Sequence, residues 1–415
     1  MTELNHTIDH LFRNEYGKLI SLLTHKFGVS FLEQIEDAAQ DTFLKAMQVW
    51  GYQSVPDNPT AWLYRVAQNR LIDTLRRDKK SDLLGDKSLP KEKTKTEKEI
   101  ILEDALEDSQ LKMIFACCHP SLSQEYQIIL SLKLMGGFSN KELADALLKK
   151  EDTIAKSFTR AKKQFREKVQ FLQIPVQMGL QSRLFQVLQV IYLLFSEGYA
   201  ATTGTQLLKR DICYEALRLA LLLRKNKYCS HPNLEALIAL MCFHASRFDA
   251  RLDKEGNLIS LEHHDRGLYN QELIQIGIHH LEQAGSKDKM PSHYHLEAAR
   301  SYYHCTASTF GETDWKNILY LYDLQLKRQY SPMVALNRIV PFGKVKGPES
   351  ALEELKLLER KSDFSTSSLF YAIKAEFLSE INDPDHETVL RKAIDLAENG
   401  LVKRHLEQKL KPSEN

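Results

Sequence analysis

Between Phe138 and Val169 the chain reads FSNKELADALLKKEDTIAKSFTRAKKQFREKV, and no other stretch restricts its fold as tightly. Ser139 followed three residues later by Glu142 is a capping-box signature, so a helix starts there. Leu143, Ala146 and Leu147 fall on one face of it. Lys149-Lys150-Glu151-Asp152 interrupts the apolar pattern and sets acids at the mouth of a second helix. That helix carries Ile154, Phe158, Ala161 and Phe165 at steps of three and four, the period of a buried stripe. Lys156, Thr159, Arg160 and Lys163 stand on the other face. A short helix, a tight turn and a longer basic amphipathic helix predict a helix-turn-helix. From Lys149 to Lys168 there are eight Lys/Arg against three Asp/Glu, a balance of +5. A basic helix alone is more often a solvated bundle face. The cap, the helix pair and the basic face together point to DNA.

The charge elsewhere sharpens this. The whole chain of 415 residues carries only +1, but the charge is unevenly placed. Residues 1–80 hold ten basic and ten acidic side chains, residues 81–108 five and nine, residues 109–170 eleven and six, and the remainder thirty of each. Positive charge confined to one segment suits a discrete DNA-contacting face. The length calls for two or three domains. No run approaches eighteen apolar residues, so no membrane span is expected. The polar start MTELNHTIDHLF lacks the basic-then-apolar order of a signal peptide, which places the protein in the cytoplasm. Six scattered cysteines do not make a disulfide framework.

The fold class expected is all-α. Leu11, Tyr16, Leu19, Leu22, Leu23 and Phe27 mark a first amphipathic helix that ends near Gly28. A second helix presents Asp37, Gln40 and Asp41 on its polar face. Gly51 to Pro59 reads as a loop. A third helix opens at Pro59-Thr60-Ala61-Trp62 and buries Leu63, Val66, Ala67, Leu71 and Leu75. Its other side carries Arg65, Asn69, Asp73, Arg76 and Arg77. An aromatic beside a polar loop, with cations along one face, suits melted DNA, where bases stack on rings and cations meet phosphates. Trp62 serves equally well as a core residue. Residues 81–98, SDLLGDKSLPKEKTKTEK, have the composition of a flexible linker.

These pieces resemble a sigma-70-family initiation factor of the extracytoplasmic-function (ECF) group. EDAAQDTFLKAMQVW and WLYRVAQNRLIDTLRR are similar to region 2, and TIAKSFTRAKKQFRE to region 4. The resemblance implies an organisation of region 2 over 1–80, a linker over 81–108, region 4 over 109–172 and a regulatory domain over 173–415. It implies that Asp37, Gln40 and Asp41 dock on the clamp helices of core RNA polymerase, whose flap is a further contact. It implies that Trp62, Arg65, Asn69, Arg70, Arg76 and Arg77 open and read the −10 element. Lys156, Ser157, Thr159, Arg160 and Lys163 would read the −35 element, with Arg or Lys on guanine edges. Most of the group has a basic residue where Ser157 stands, so which side chain reaches a base stays open.

The remainder resembles the tetratricopeptide-like (TPR-like) extension of one subgroup, through LLFSEGYAA (Leu193 to Ala201), LEHHDRGLYNQELIQIG (Leu261 to Gly277), TDWKNILYLYDL (Thr313 to Leu324), SPMVALNRIV (Ser331 to Val340) and CCHPSLS (Cys117 to Ser123). Ala298, Ala335 and Ala372 lie 37 residues apart, which fits stacked helical hairpins. Val169, Phe171, Leu172 and Ile174 carry the apolar pattern past the basic helix, so the extension is expected to pack on region 4 through Phe171 to Leu194 and to set the spacing of the two sigma domains. Cys117-Cys118-His119 lacks the second ligand pair a zinc site needs and is expected to be buried helix. Asp249, Arg251, Asp253, Glu262, Asp265 and Arg266 read as an internal salt-bridge network rather than a ligand pocket. No phosphate loop or nucleophile motif appears, so neither enzyme activity nor a cofactor or metal is expected. The partners implied are core RNA polymerase, promoter DNA and a protein partner for the extension, and no membrane. The competing reading is a helix-turn-helix regulator that senses a ligand or partner through its C-terminal half and works without polymerase.

Overall fold

The structure is a computed structural model, and it describes residues 2–52, 55–78, 95–147, 149–175, 178–199, 210–285 and 291–410. The described residues form eighteen α-helices and no strand, an all-α protein. They divide into two compact units, one of residues 1–194 with 214–229 and one of residues 195–213 with 230–415.

The first unit begins with α1 (Thr2–Phe27), α2 (Leu32–Tyr52) and α3 (Pro59–Asp78). Gly28 ends α1 as expected, with φ at 103° and its N–H bonded back to Thr24 O at 2.9 Å, a conformation that favours glycine. Asn58 starts α3, its side chain accepting from Ala61 N at 2.9 Å. Ile20, Leu23, Leu32, Ile35, Leu63 and Leu71 are the buried centre of these three helices. Next come α4 (Lys95–Cys117), α5 (Gln124–Leu134), α6 (Asn140–Ala146) and α7 (Glu151–Lys168).

The expected linker lies outside the described residues up to residue 94, and from Lys95 onward it is helix. Tertiary partners account for this. Leu106 is buried, Glu107 pairs with Lys225 at 2.6 Å, and Gln110 accepts from Arg218 at 3.1 Å. Cys117 and Cys118 sit fully buried where α4 ends. Burial pushes both thiols up, Cys118 to about 12. The last helices with residues in this unit are α8 (Met178–Tyr199), which runs on into the second unit, and α9 (Arg210–Lys225), which begins in the second unit and returns to the first. Arg183 on α8 donates to the carbonyl of Phe115.

The second unit continues with α10 (Pro232–Ala245), α11 (Gln271–Ala284), α12 (His293–Thr306), α13 (Trp315–Arg328) and α14 (Pro332–Lys346). It closes with α15 (Pro348–Lys361), α16 (Ser368–Glu380), α17 (His386–Asp395) and α18 (Gly400–Leu410). From α10 onward, helices that follow one another in the chain pack on one another. Ala298, Ala335 and Ala372 fall on α12, α14 and α16, the alternate helices that a two-helix repeat requires. A Cβ on Gly343 would lie 2.4 Å from the Phe377 ring, so α14 and α16 approach where only glycine fits. The polar cluster from Asp249 to Arg266 does not form the expected network: among the described residues no ion pair joins its members. Its acids hold turns instead, Asp253 accepting from Asn257 N at 2.7 Å and Asp265 from Gly267 N at 2.9 Å. Its arginines donate to carbonyls, Arg251 to Tyr199 and Arg266 to His304 and Ala307.

Candidate functional site

The first unit gathers every site residue singled out from the sequence. On α7 the apolar positions Ile154, Phe158, Ala161 and Phe165 are all buried, which leaves Lys156, Thr159, Arg160 and Lys163 exposed. The α6 cap forms in both directions: Ser139 Oγ accepts from Glu142 N at 3.1 Å, and Glu142 Oε2 accepts from Ser139 N at 2.8 Å. Glu151 and Asp152 occupy the first turn of α7, where negative charge is favourable. Ser157 sits apart from the exposed row. It is half-buried and donates to Glu125 of α5 at 3.3 Å, and the same carboxylate holds Lys149 at 2.7 Å. Thr159 donates its hydroxyl proton to Ala155 O at 3.0 Å.

Asp37, Gln40 and Asp41 are exposed on α2 but divide between two grooves. Asp37 and Gln40 line one of about 640 Å³ together with Ser139, Asn140, Thr159 and Lys162. Asp41 lines another of about 530 Å³ with Asn69 and Arg70 of α3. There Asp41 Oδ2 accepts from Arg70 Nη2 at 2.6 Å and Nε at 3.0 Å. Both partners are about half exposed, so the pair is worth about 0–1 kcal/mol and yields readily to a competitor. Arg65, Asn69, Arg76 and Arg77 are exposed along α3. Trp62 is half-buried, its ring 5.2 Å from that of Trp50, and Tyr52 is 96% exposed.

Sequence reasoning missed the contact that joins these faces. Lys162 of α7 pairs with Glu36 of α2 at 2.7 Å, with side chains only 16% and 9% exposed. Arg166 reaches Glu33 at 3.1 Å beside it. Lys162 also lies 4.7 Å from the centroid of Phe158, and Lys133 lies 5.2 Å from it. Burial raises the Glu36 carboxyl above its ordinary value, with Lys162 opposing the rise. A buried pair of this kind costs about 3–5 kcal/mol to break one-sidedly, far more than the Asp41 pair. Close packing supports the same closure. A Cβ on Gly17 of α1 would fall 2.1 Å from the carbonyl oxygen of Met135, just past α5. The partners are 126 positions apart for Lys162 and Glu36, so no local pattern announces them.

Among the described residues no three His, Cys, Asp or Glu side chains gather as metal ligands would, and no helix is long and apolar enough to cross a membrane.

Residues 11–81, which carry α2, α3 and their grooves, match sigma-70 region 2. Residues 183–285 match a family of unknown function, DUF6596. A protein of Rhizobium meliloti (strain 1021), described as uncharacterized, is 31% identical over 386 residues, covering 91% of this chain and 90% of that one. No solved structure matches. The sigma-70 family consists of non-enzymatic transcription factors. The chain therefore belongs to the family of this Rhizobium protein, and its residues 11–81 carry a sigma-70 region 2, which supports a sigma factor's role in RNA-polymerase-directed transcription.

Proposed function

We propose that the chain is a promoter-specificity subunit of the ECF type, which binds core polymerase and promoter DNA through its first unit and is regulated in cis by its C-terminal half. The observation that carries this reading is one compact unit holding both a sigma-70 region 2 and a capped helix pair with an exposed basic row. Residues 1–80 act as region 2. Asp37, Gln40 and Asp41 dock on the clamp helices, and Arg65, Asn69, Arg70, Arg76 and Arg77 engage the −10 element beside Trp62. Residues 109–172 act as region 4, with α6 and α7 as its helix-turn-helix. Lys156, Arg160 and Lys163 meet −35 DNA, with Thr159 at the edge and Ser157 as a support through Glu125. Residues 173–415 are the TPR-like regulatory part, joined by the segment 81–108.

Thr159 and the Asp37–Gln40 face line one groove, so polymerase on α2 and a duplex on α7 require the same space. Both can be engaged only after α2 and α7 part at Glu36–Lys162. The decisive experiment is run-off transcription with core polymerase and candidate promoters, with and without the protein. Transcripts that appear only with both supports the reading. Promoter binding without any effect on core polymerase would transfer the function to a polymerase-independent regulator.

A further inference from the structure

The second unit contains a cavity of about 610 Å³, a volume ordinary for a small-molecule site. Its chemistry is lopsided. Arg247 from the turn after α10, Arg251 four residues on, and Arg300 of α12 all line it, and Glu297 is the one carboxylate among the lining residues. Among the described residues none of these arginines has an ion-pair partner. Arg247 is 5% exposed. One of its terminal nitrogens meets His244 Nδ1 at 2.9 Å, and its Nε has no partner. The other two are stacked on rings, Arg251 with its guanidinium 3.8 Å from the centroid of Tyr199 and Arg300 at 4.2 Å from Tyr322. His304 also lines the cavity, and its Nδ1 is buried without a partner.

A guanidinium taken out of water without a counter-charge is strongly unfavourable. Three around one space, offset by a single carboxylate, leave a charge of +2 when the histidines are neutral. Planar forks of N–H donors match carboxylate and phosphate oxygens two at a time. The stacked tyrosines hold two of those forks in place and offer an apolar wall.

We infer that this cavity binds a small organic dianion, a phosphate monoester or a dicarboxylate, with its charged end among Arg247, Arg251 and Arg300 and its body against Tyr199 and Tyr322. The ligand supplies the counter-charge that the fold omits. The site gives the C-terminal half a chemical input, which deepens the proposal of regulation in cis. Binding is nevertheless read without polymerase, so a failed run-off assay alongside a positive binding result would sink the sigma reading and leave this one standing.

The experiment uses the full chain with phenyl phosphate and phthalate as separate probes, against chloride at equal ionic strength. The expected result is a saturable rise in melting temperature with at least one of them, and the stronger arm identifies phosphate or carboxylate as the natural head group. In the same protein, the ring resonances of His304 and His264 should report a raised pKa when the probe is bound, because the dianion neutralises the arginines beside them. Arg247→Met should abolish the probe's effect and, by removing an unpaired buried charge, leave the ligand-free protein at least as stable as before. If that variant does not fold, the histidine titration of the unaltered chain decides alone. No thermal shift and no change in histidine titration with either probe would overturn the inference, as would a normal response of a folded Arg247→Met protein.

Discussion

Arg160 stands exposed on α7, held by no ion pair among the described residues, one turn from Lys156 and Lys163. If it forks onto a guanine edge, Arg160→Ala should cost about 1–3 kcal/mol of promoter discrimination and relax preference at one −35 position. Equal weakening on every sequence, with the salt slope reduced by about one, would assign it to phosphate instead. His304 offers a test of stability. Burial, reinforced by Arg247, Arg266 and Arg300, pushes it from 6.5 down to about 3. The unfolded chain takes up a proton near 6.5 and the folded one does not. The full contribution is therefore present above 6.5 and declines as the pH falls toward 3. At pH 5 the loss is about 2 kcal/mol. Urea unfolding at pH 5 and pH 7.5 should differ less by that amount in His304→Gln, and an unchanged difference would contradict the assignment. The α7 stripe was legible residue by residue because it is a local period. Arg247 was not, since one arginine after the apolar run of α10 looks like a helix end until its surroundings are seen. Glu36 and Lys162 were hidden for the same reason, as their chemistry lies in a contact across the unit.

At the scale of elements, the first unit is closed by α1 and α2 meeting the segment from α5 to α7. Gly17→Val places a side chain where Met135 O already lies and should force the two sides apart. The expected outcome is a larger radius of gyration by small-angle scattering and tighter binding of core polymerase, because the groove that Asp37 and Gln40 share with α6 and α7 widens. A variant that stays folded and expanded yet binds core no better would count against a closed resting state. Helix boundaries were readable at several points, for the cap at Ser139, the start at Pro59 and the stop at Gly28 are written locally. The end of α7 was less so. The apolar pattern past it predicted a continuing buried face, yet Phe171 is 74% exposed while Val169 and Leu172 are buried. The helix stops at Lys168 and Val169 turns extended, with φ −109° and ψ 99°, so the helical period no longer applies to the residues after it.

At the scale of the molecule, the chain passes between its two units at residues 194, 213 and 229. Cutting after Gln173 therefore removes part of the first unit together with the second. It strips Leu180, Leu184, Val187, Leu188, Val190, Ile191 and Leu194 from the first unit. At about 1.5–3 kcal/mol for each buried side chain of this size, that is comparable to the whole stability of an ordinary domain, about 5–15 kcal/mol. The truncated protein should lose promoter-dependent transcription and cooperative unfolding together, as run-off assay and calorimetry would report. Undiminished transcription would mean that α8 and α9 are dispensable. The 37-residue spacing picked out alternate helices, α12, α14 and α16, but nothing in the sequence marks where α8 and α9 change units. That crossing also bears on synthesis. A ribosome delivers the N-terminus first, yet the unit that begins there lacks its last segment until Cys229 has emerged. At about 5–20 residues per second, the stretch from 173 to 229 takes roughly 3 to 11 seconds to make. During that interval the nascent chain holds the basic helix but not the closed unit around it, so the first unit is completed only after residues 195–213 of the other unit have been made.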